Sequence, residues 1–327
     1  MRKLSLLICL FAYLIIGNAE AQEKAAEQKK ETDKVPFTVK ANFPVNVSHS
    51  YLLTDTTDIE REFSDGTSQK YTRILKYYFS LRAPNLINKE KQLLVVCSVD
   101  SLEYTLLSND SKVFYHSQAD DLRPPKHEDY QILMSPLGLE FEMTYSPYQE
   151  VANIGGEAYK EKMFLINDPQ HAPSDSIIKF TWNDRLSSIP LLTYFDIVKG
   201  IYPNGRVIID SSWNKVITND VEGATVVDSV KFTLKSFNIK NFIIEGQSYS
   251  TKVAENDVAR LFNIRQLLNV QSAEGSSNYK VKIHPKGTIE ELTVNGNYTV
   301  NYQIARDVIK QKVNSRKKWL LLGMYNW

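Results

Sequence analysis

Hydrophobic and polar residues alternate along much of the chain. In the segment 139–145 every second residue is apolar, and the same period of two recurs at 93–99 and 279–284. Successive side chains of a β-strand point to opposite faces of a sheet, so this pattern predicts strands with one buried face. Asp65 and Gly66 separate two such runs and predict an antiparallel hairpin. We therefore expect a mainly β (α+β) protein with antiparallel sheets and a few helices.

Helical spacing of apolar residues is rarer. Ser187 is a suitable N-cap, Pro190 suits a first turn, and apolar residues then recur on one face until Gly200, which predicts a helix. A second apolar stripe predicts a helix over 256–269. The segment 174–185 fits either a helix or a strand.

Two segments look like the same hairpin used twice. Residues 139–156 and 279–296 each run from an alternating strand through a proline-containing turn to a second strand that ends in glycine. Both internal duplication and chance similarity explain this pattern. Duplication would give two half-barrel-like β units, for which we predict the ranges 37–200 and 201–327. A short strand at 207–209 would open the second unit.

The first residues predict export from a bacterial cell. Arg2 and Lys3 precede an apolar run, and the Ala-Glu-Ala sequence at 19–21 suits signal peptidase, so 1–21 is the predicted signal peptide, cleaved near Ala21. The run is shorter than the about 20 residues of a membrane-spanning helix, so we expect no helical transmembrane anchor. The polar segment 22–36 is a predicted flexible linker. The expected location is the periplasm or cell envelope.

Charge argues against nucleic acid as a partner. The chain has 39 basic and 38 acidic residues, and it therefore has no overall charge that would steer it to a polyanion. A local excess of lysine and arginine lies at 310–318. It fits a solvated strand face or a contact with phosphate head groups.

Motifs for catalysis or metal binding are missing from the sequence. The five histidines lack zinc-site spacing, and neither a Gly-x-Ser-x-Gly elbow nor a glycine-rich phosphate loop occurs. The sequence His-Glu-Asp at 127–129 suits a polar loop better than a metal site. Cys97 lies in an apolar row and is expected to be a buried, unreactive thiol. We predict no catalytic residue, metal or cofactor, although a hydrolase site assembled from distant loops stays open.

The segment 203–213 carries a family resemblance. Pro203, Val207, Asp210 and Trp213 resemble the "P…V…G-D-x-W" segment of a large family of secreted bacterial β-rich proteins of unknown function. Ile209 stands at the position of that family's glycine, and the tryptophan comes one residue late. The expected architecture is similar to the half-barrels of periplasmic lipid and lipoprotein carriers. That similarity implies a sheet groove for an apolar ligand.

These observations predict a non-catalytic envelope protein that binds a lipid or another apolar ligand in a sheet groove. The alternative is an envelope assembly protein that binds a protein partner. The C-terminal segment 319–327 resembles the terminal signal of outer-membrane barrels, and it also suits a strand within a soluble sheet or one that pairs with a partner's edge. Aromatic residues would line the groove or fill a core; those that we predict for the groove are Tyr77, Phe79, Tyr104, Phe141, Phe232 and Phe237.

Overall fold

The strands of the chain join into one antiparallel sheet, and the expectation of a mainly β protein is confirmed. The predicted signal peptide 1–21 and the linker 22–36, apart from Pro36, lie outside the described residues. The computed structural model describes residues 36–84, 92–109, 111–118, 127–255, 257–305 and 307–326.

Two sets of strands build the sheet. The N-terminal strands are β1 (Val47–Phe63), β2 (Ser68–Arg82), β3 (Leu93–Ser108), β4 (Lys112–His116), β5 (Glu140–Tyr145) and β6 (Val151–Gly155). The C-terminal strands are β7 (Ser212–Val221), β8 (Ala224–Phe237), β9 (Phe242–Val253), β10 (Val258–Ala259), β11 (Leu268–Ile283), β12 (Ile289–Ile304) and β13 (Asp307–Asn326). Their order is β6-β5-β3-β2-β1-β13-β12-β11-β9-β8-β7, with β4 beside β3 and β10 beside β11. The sheet is open, and β6 and β7 are its edges.

The first and last strands join the two sets. β1 and β13 pair antiparallel from Val47 opposite Asn326 to Phe63 opposite Ile309. Strands on one side of this junction precede Gly200 in the chain, and strands on the other side follow it. The division into two β units, 37–200 and 201–327, stays a prediction.

The predicted hairpins form. Gly66 turns the chain between β1 and β2 with φ at 85°, a conformation that glycine adopts without steric cost. The two similar proline-containing segments are the β5–β6 and β11–β12 hairpins. The first lies at an edge of the sheet and the second lies in its interior. Internal duplication remains a prediction.

Four helices belong to the described part of the chain: α1 (Glu128–Leu133), α2 (Glu157–Asn167), α3 (Ser176–Arg185) and α4 (Ser188–Phe195). The helix predicted from Ser187 is confirmed as α4, although it ends at Phe195. The segment that fitted either state, 174–185, forms α3, where the Asp175 side chain caps two backbone N–H groups.

Two local predictions were wrong. Of the segment 256–269, residues 257–269 are not helical, because Val258 and Ala259 pair with the start of β11 and cross-strand pairing outweighs the apolar stripe; residue 256 lies outside the described residues. The predicted strand at 207–209 is reduced to an isolated bridge between Val207 and Phe37. Asp210, with φ at 64°, turns the chain before β7 begins.

One face of the sheet is buried against the helices. Along β1, Tyr51, Leu53 and Ile59 alternate with more exposed residues, as the period of two predicts. Cys97 is buried in the same core. No helix within the described ranges is both long enough and apolar enough to span a bilayer. The inner face of the sheet and the helices share one hydrophobic core.

Candidate ligand-binding surfaces

Three of the aromatic residues predicted to line a groove meet around one helix. The ring centroids of Tyr77, Phe79 and Phe141 lie 5.1, 5.4 and 5.9 Å from that of Phe195 in α4. All four rings are buried. They form an aromatic wall on the inner face of the sheet, and α4 rests on this wall.

The other three predicted residues lie elsewhere. The hydroxyl of Tyr104 donates a hydrogen bond to Asp129 at 2.8 Å. Phe232 packs on Tyr279, with the ring centroids 5.5 Å apart. Phe237 is half-buried at the end of β8. The six residues therefore belong to one inner face without forming one site, and their contact with a ligand stays a prediction.

Polar contacts hold the last turn of α4. The Lys199 amine donates to the carbonyl oxygens of Leu192 and Thr193, at 3.1 and 3.0 Å. The Trp319 indole donates to the carbonyl oxygen of Tyr194 at 2.7 Å. The Leu192 carbonyl also accepts a hydrogen bond from the backbone N–H of Asp196 at 3.2 Å, whereas the Thr193 and Tyr194 carbonyls belong to the end of the helix, where backbone partners run out. The side chains of α4, in contrast, are held mainly by apolar packing.

Little empty space remains beneath the sheet near α4. The cavity between Tyr77, Leu133 and the α4 residues Leu191 and Phe195 has a volume of about 10 Å³. A cavity of that size holds at most a single water molecule. The helix itself therefore fills the space against the aromatic wall.

A cleft between the two sheet edges reaches the last turn of α4. Lys215 of β7 spans the gap, because its amine lies 2.9 Å from a carboxylate oxygen of Glu150, just before β6. The cleft has a volume of about 230 Å³ and is bounded by Leu192, Asp196 and Lys199. Solvent therefore has a route from the open side of the sheet to α4.

Burial sets the charge properties of this cleft. Burial of the Lys199 amine lowers its pKa to about 8. Burial also raises the pKa of Asp196, which accepts a hydrogen bond from the Tyr145 hydroxyl at 2.8 Å. Because the Lys199 hydrogens go to helix carbonyls, we interpret this lysine as a tether for α4 rather than a base.

A cluster of buried charges lies among α1, β2 and the β7–β8 turn. The Arg73 guanidinium contacts Asp129 at 3.3 Å and both carboxylate oxygens of Glu222, one of them at 3.1 Å. Burial alone would raise the pKa of Glu222, but the charge and hydrogen bonds of Arg73, together with the charges of Arg185 and Arg61, outweigh burial and the pKa is lowered. Every member is paired, so the cluster joins distant segments and resembles a structural clamp more than a reaction centre.

Arg61 extends the buried polar region. Its guanidinium donates to the side-chain oxygen of Gln311 at 2.5 Å and to the carbonyl oxygen of Phe262 at 2.8 Å. The same group lies 4.6 Å from the centroid of the Phe262 ring, within cation–π distance. β1, β13 and the loop before β11 are thereby connected.

The described residues include no group of three or more His, Cys, Asp or Glu side chains placed to hold a metal ion. In the His-Glu-Asp segment, Asp129 is bonded to Arg73 and Tyr104 instead. Burial raises the pKa of the Cys97 thiol well above its usual value. The thiol is therefore protonated at neutral pH and poorly nucleophilic.

A polar groove of about 1040 Å³ crosses the outer face of the C-terminal strands. Lys231, Gln247, Asn278 and Asn295 form a row across it, because each pairs in register with the next. Within the described part of the chain, these four side chains have no hydrogen-bond or ion-pair partner. Their amide and amine groups are available to a hydrophilic ligand.

Comparisons with known proteins show no family for this chain. No family model and no curated protein matches the chain. It is similar to lipovitellin, in a structure of its lipid–protein interactions, with a TM-score of 0.43 and 12% identity over 87% of this chain and 26% of that chain. This chain thus spans 26% of lipovitellin's length. The family resemblance of the segment 203–213 remains a prediction.

Two outer-membrane proteins give lower scores. A channel from Pseudomonas putida F1 has a TM-score of 0.26 and 7% identity, and the match covers 88% of this chain and 100% of that chain. OpdQ from Pseudomonas aeruginosa has a TM-score of 0.20 and 8% identity, with coverage of 84% and 99%. These matches indicate no family.

The buried charged residues were not predicted from the sequence. In β1, the side chain of Arg61 lies on the buried face of the sheet, as those of Leu53 and Ile59 do. In β8, Asp228 lies on the same buried face as Val226. It accepts hydrogen bonds from the buried hydroxyls of Ser277 and Tyr298. A charged residue at a strand position where the alternating pattern expects an apolar one therefore indicates a buried polar cluster.

Proposed function

We propose that the protein is a non-catalytic binding protein of the bacterial cell envelope that holds an apolar ligand, such as a lipid acyl chain, against the inner face of its sheet. The observation that carries the proposal is the position of α4. This short apolar helix rests on the aromatic wall of Tyr77, Phe79 and Phe141. The cleft between β6 and β7 leads to its last turn. An open sheet with one apolar face suits a binding role.

The ligand would replace α4 side chains on the wall. Leu191, Tyr194 and Phe195 are buried, and each contributes on the order of 2 kcal/mol, or about 6 kcal/mol together. Each methylene of a ligand contributes about 0.8 kcal/mol when it leaves water. A chain of about eight methylenes therefore balances the loss. Longer chains should displace the helix and shorter ones should not.

Mass spectrometry of the intact protein from its own host tests whether a ligand is present. The processed protein should retain an acyl-chain compound that dissociates in organic solvent. Fluorescence tests the site, because Trp319 is buried and bonded to α4. With the other tryptophans replaced by phenylalanine, its emission should shift to longer wavelength as fatty acids bind. Affinity that does not depend on fatty-acid chain length would contradict the proposal.

The route to α4 can be tested separately. The Lys215→Met variant removes the bridge to Glu150 and should speed the association of a long-chain fatty acid several-fold without changing its equilibrium affinity. The bridge is partly exposed, so its loss should cost at most about 1 kcal/mol of stability. Lys231→Met on the adjacent strand is the matched control. Equal association rates in both variants would exclude the cleft as the route.

The polar groove favours a second candidate function, the binding of a hydrophilic ligand. Its row of unpaired amides suits the hydroxyl groups of a polysaccharide. Substitution of Gln247 and Asn278 by alanine should abolish retention on immobilised envelope polysaccharide and leave fatty-acid binding unchanged. Retention equal to that of the unsubstituted protein would exclude this function.

A further inference from the structure

Two turns between C-terminal strands and the end of the last strand lie at the same end of the sheet. The pairing of β8 with β9, β9 with β11, β11 with β12 and β12 with β13 places them there. They are the β8–β9 turn, 238–241, the β11–β12 turn, 284–288, and the end of β13, 320–326. We call these three segments the tail rim. Neighbouring strands are about 4.8 Å apart, so the tail rim is a continuous arc.

Large apolar side chains on the tail rim are unusually exposed. Ile239, at the tip of its turn, is 94% exposed. Met324 and Tyr325 are 53% and 59% exposed, and Leu322 beside them is also exposed. Single exposed apolar residues are common, but a group of them at one end of a protein marks an interaction surface.

Lysines lie among these apolar residues. Lys240 follows Ile239 directly, and Lys286 lies in the next turn. The side-chain amide of Asn42 donates to the carbonyl oxygen of Lys286 at 3.2 Å, which places Lys40 and its neighbours beside that turn. These three exposed lysines have no acidic partner in the described part of the chain. The tail rim therefore combines apolar side chains with unneutralised positive charge.

We propose that the tail rim docks on the surface of an anionic lipid bilayer. Apolar side chains would enter the boundary between head groups and acyl chains, while the lysine amines would contact lipid phosphates. Charge complementarity favours a bilayer over a second copy of the chain. A symmetric pair of tail rims would bring the same patch of both copies together, so that Lys240 and Lys286, with Lys40 beside them, would face a surface of like charge.

Vesicle flotation of the full processed protein tests this docking. The protein should float with vesicles of phosphatidylglycerol mixed with phosphatidylcholine and should stay in solution with phosphatidylcholine alone. Lys240→Gln should weaken the partition about five-fold, since one lysine contributes about 1 kcal/mol near an anionic surface. Ile239→Ser should weaken it further. Higher salt should weaken the binding of the unsubstituted protein.

Matched controls lie on β4, toward the opposite end of the sheet. Lys112→Gln and Phe114→Ser change exposed residues of the same kinds and should leave flotation unchanged. Equal loss of binding in these variants would overturn the proposal, as would equal flotation with phosphatidylcholine alone.

Sedimentation without vesicles tests whether the protein self-associates. Self-association that Ile239→Ser abolishes would identify the tail rim as an interface between copies and would overturn docking on a bilayer. Docking and ligand binding are separable, because Lys215→Met should not alter flotation.

Discussion

Replacement of Glu222 by glutamine should destabilise the protein strongly. Glu222 lies in the β7–β8 turn and pairs with Arg73 of β2, which is 149 residues away in sequence. The pair thus connects strands from the two sides of the β1–β13 junction. Glutamine keeps the shape of the side chain and removes its charge, so Arg73 is left with Asp129 as its charged partner.

Burial determines the magnitude of this effect. The side chains of Arg73 and Glu222 are 3% and 11% exposed. Removal of one partner from a buried pair costs about 3–5 kcal/mol, because the other charge stays out of water. Asp129 offsets part of this cost, so we expect about 3 kcal/mol. Against a typical stability of about 5–15 kcal/mol, the melting temperature should fall by roughly 10 °C.

Urea unfolding followed by circular dichroism provides the measurement. The midpoint should fall in Glu222→Gln, with an unchanged dependence of the unfolding free energy on urea concentration. Glu245→Gln changes a more exposed glutamate on β9 and should alter stability by no more than about 0.5 kcal/mol. The same midpoint in both variants would refute the clamp. Because Arg73 lowers the pKa of Glu222, the stabilisation should be present above the ordinary carboxyl pKa and disappear as pH falls through the lowered value.

Two further predictions concern α4 and the core. Burial lowers the pKa of Lys199 to about 8 in the folded protein. Above that pH the unfolded chain binds more protons than the folded protein does, because an exposed lysine keeps its ordinary, higher pKa. The free energy of unfolding should therefore rise by about 1.5 kcal/mol from about pH 8 to 9.5. Thermal unfolding across this range should show the rise in the unsubstituted protein and not in Lys199→Met. Gly246→Ala should cost about 1–3 kcal/mol, because the added methyl group would lie 2.4 Å from the buried Phe232 ring. Gly205→Ala, where nothing lies within 4 Å, is the control, and equal urea midpoints for these two variants would contradict the packing argument.

Local features of the fold could be predicted from the sequence because they depend on neighbouring residues. The alternation at 93–99, 139–145 and 279–284 located parts of β3, β5 and β11. Asp65 and Gly66 located the first hairpin, since a tight turn needs a residue that tolerates positive φ. The start of α4 followed from Ser187 and Pro190.

Strand order could not be predicted in the same way. The pairing of β1 with β13 joins residues such as Arg61 and Gln311, which are 250 positions apart, and no local pattern records a partner at that distance. The error at 256–269 has the same origin, because pairing with the first residues of β11 decided the conformation of Val258 and Ala259. The buried cluster of Arg73 and Glu222 also depends on distant segments.

The structure buries Tyr77, Phe79 and Phe141 in one aromatic wall, whereas their predicted contact with a ligand stays a prediction. Tyr77 and Phe79 are buried whether they belong to a permanent core or to a wall that a ligand contacts. The two roles differ when α4 leaves the wall. If the wall is a permanent core, the protein would then lose about 6 kcal/mol of stability from apolar burial, and no ligand contact would replace it. Long-chain ligands would therefore not raise the melting temperature. A binding wall would recover that loss from a chain of about eight or more methylenes, and the melting temperature should therefore increase with long-chain fatty acids and stay constant with short ones.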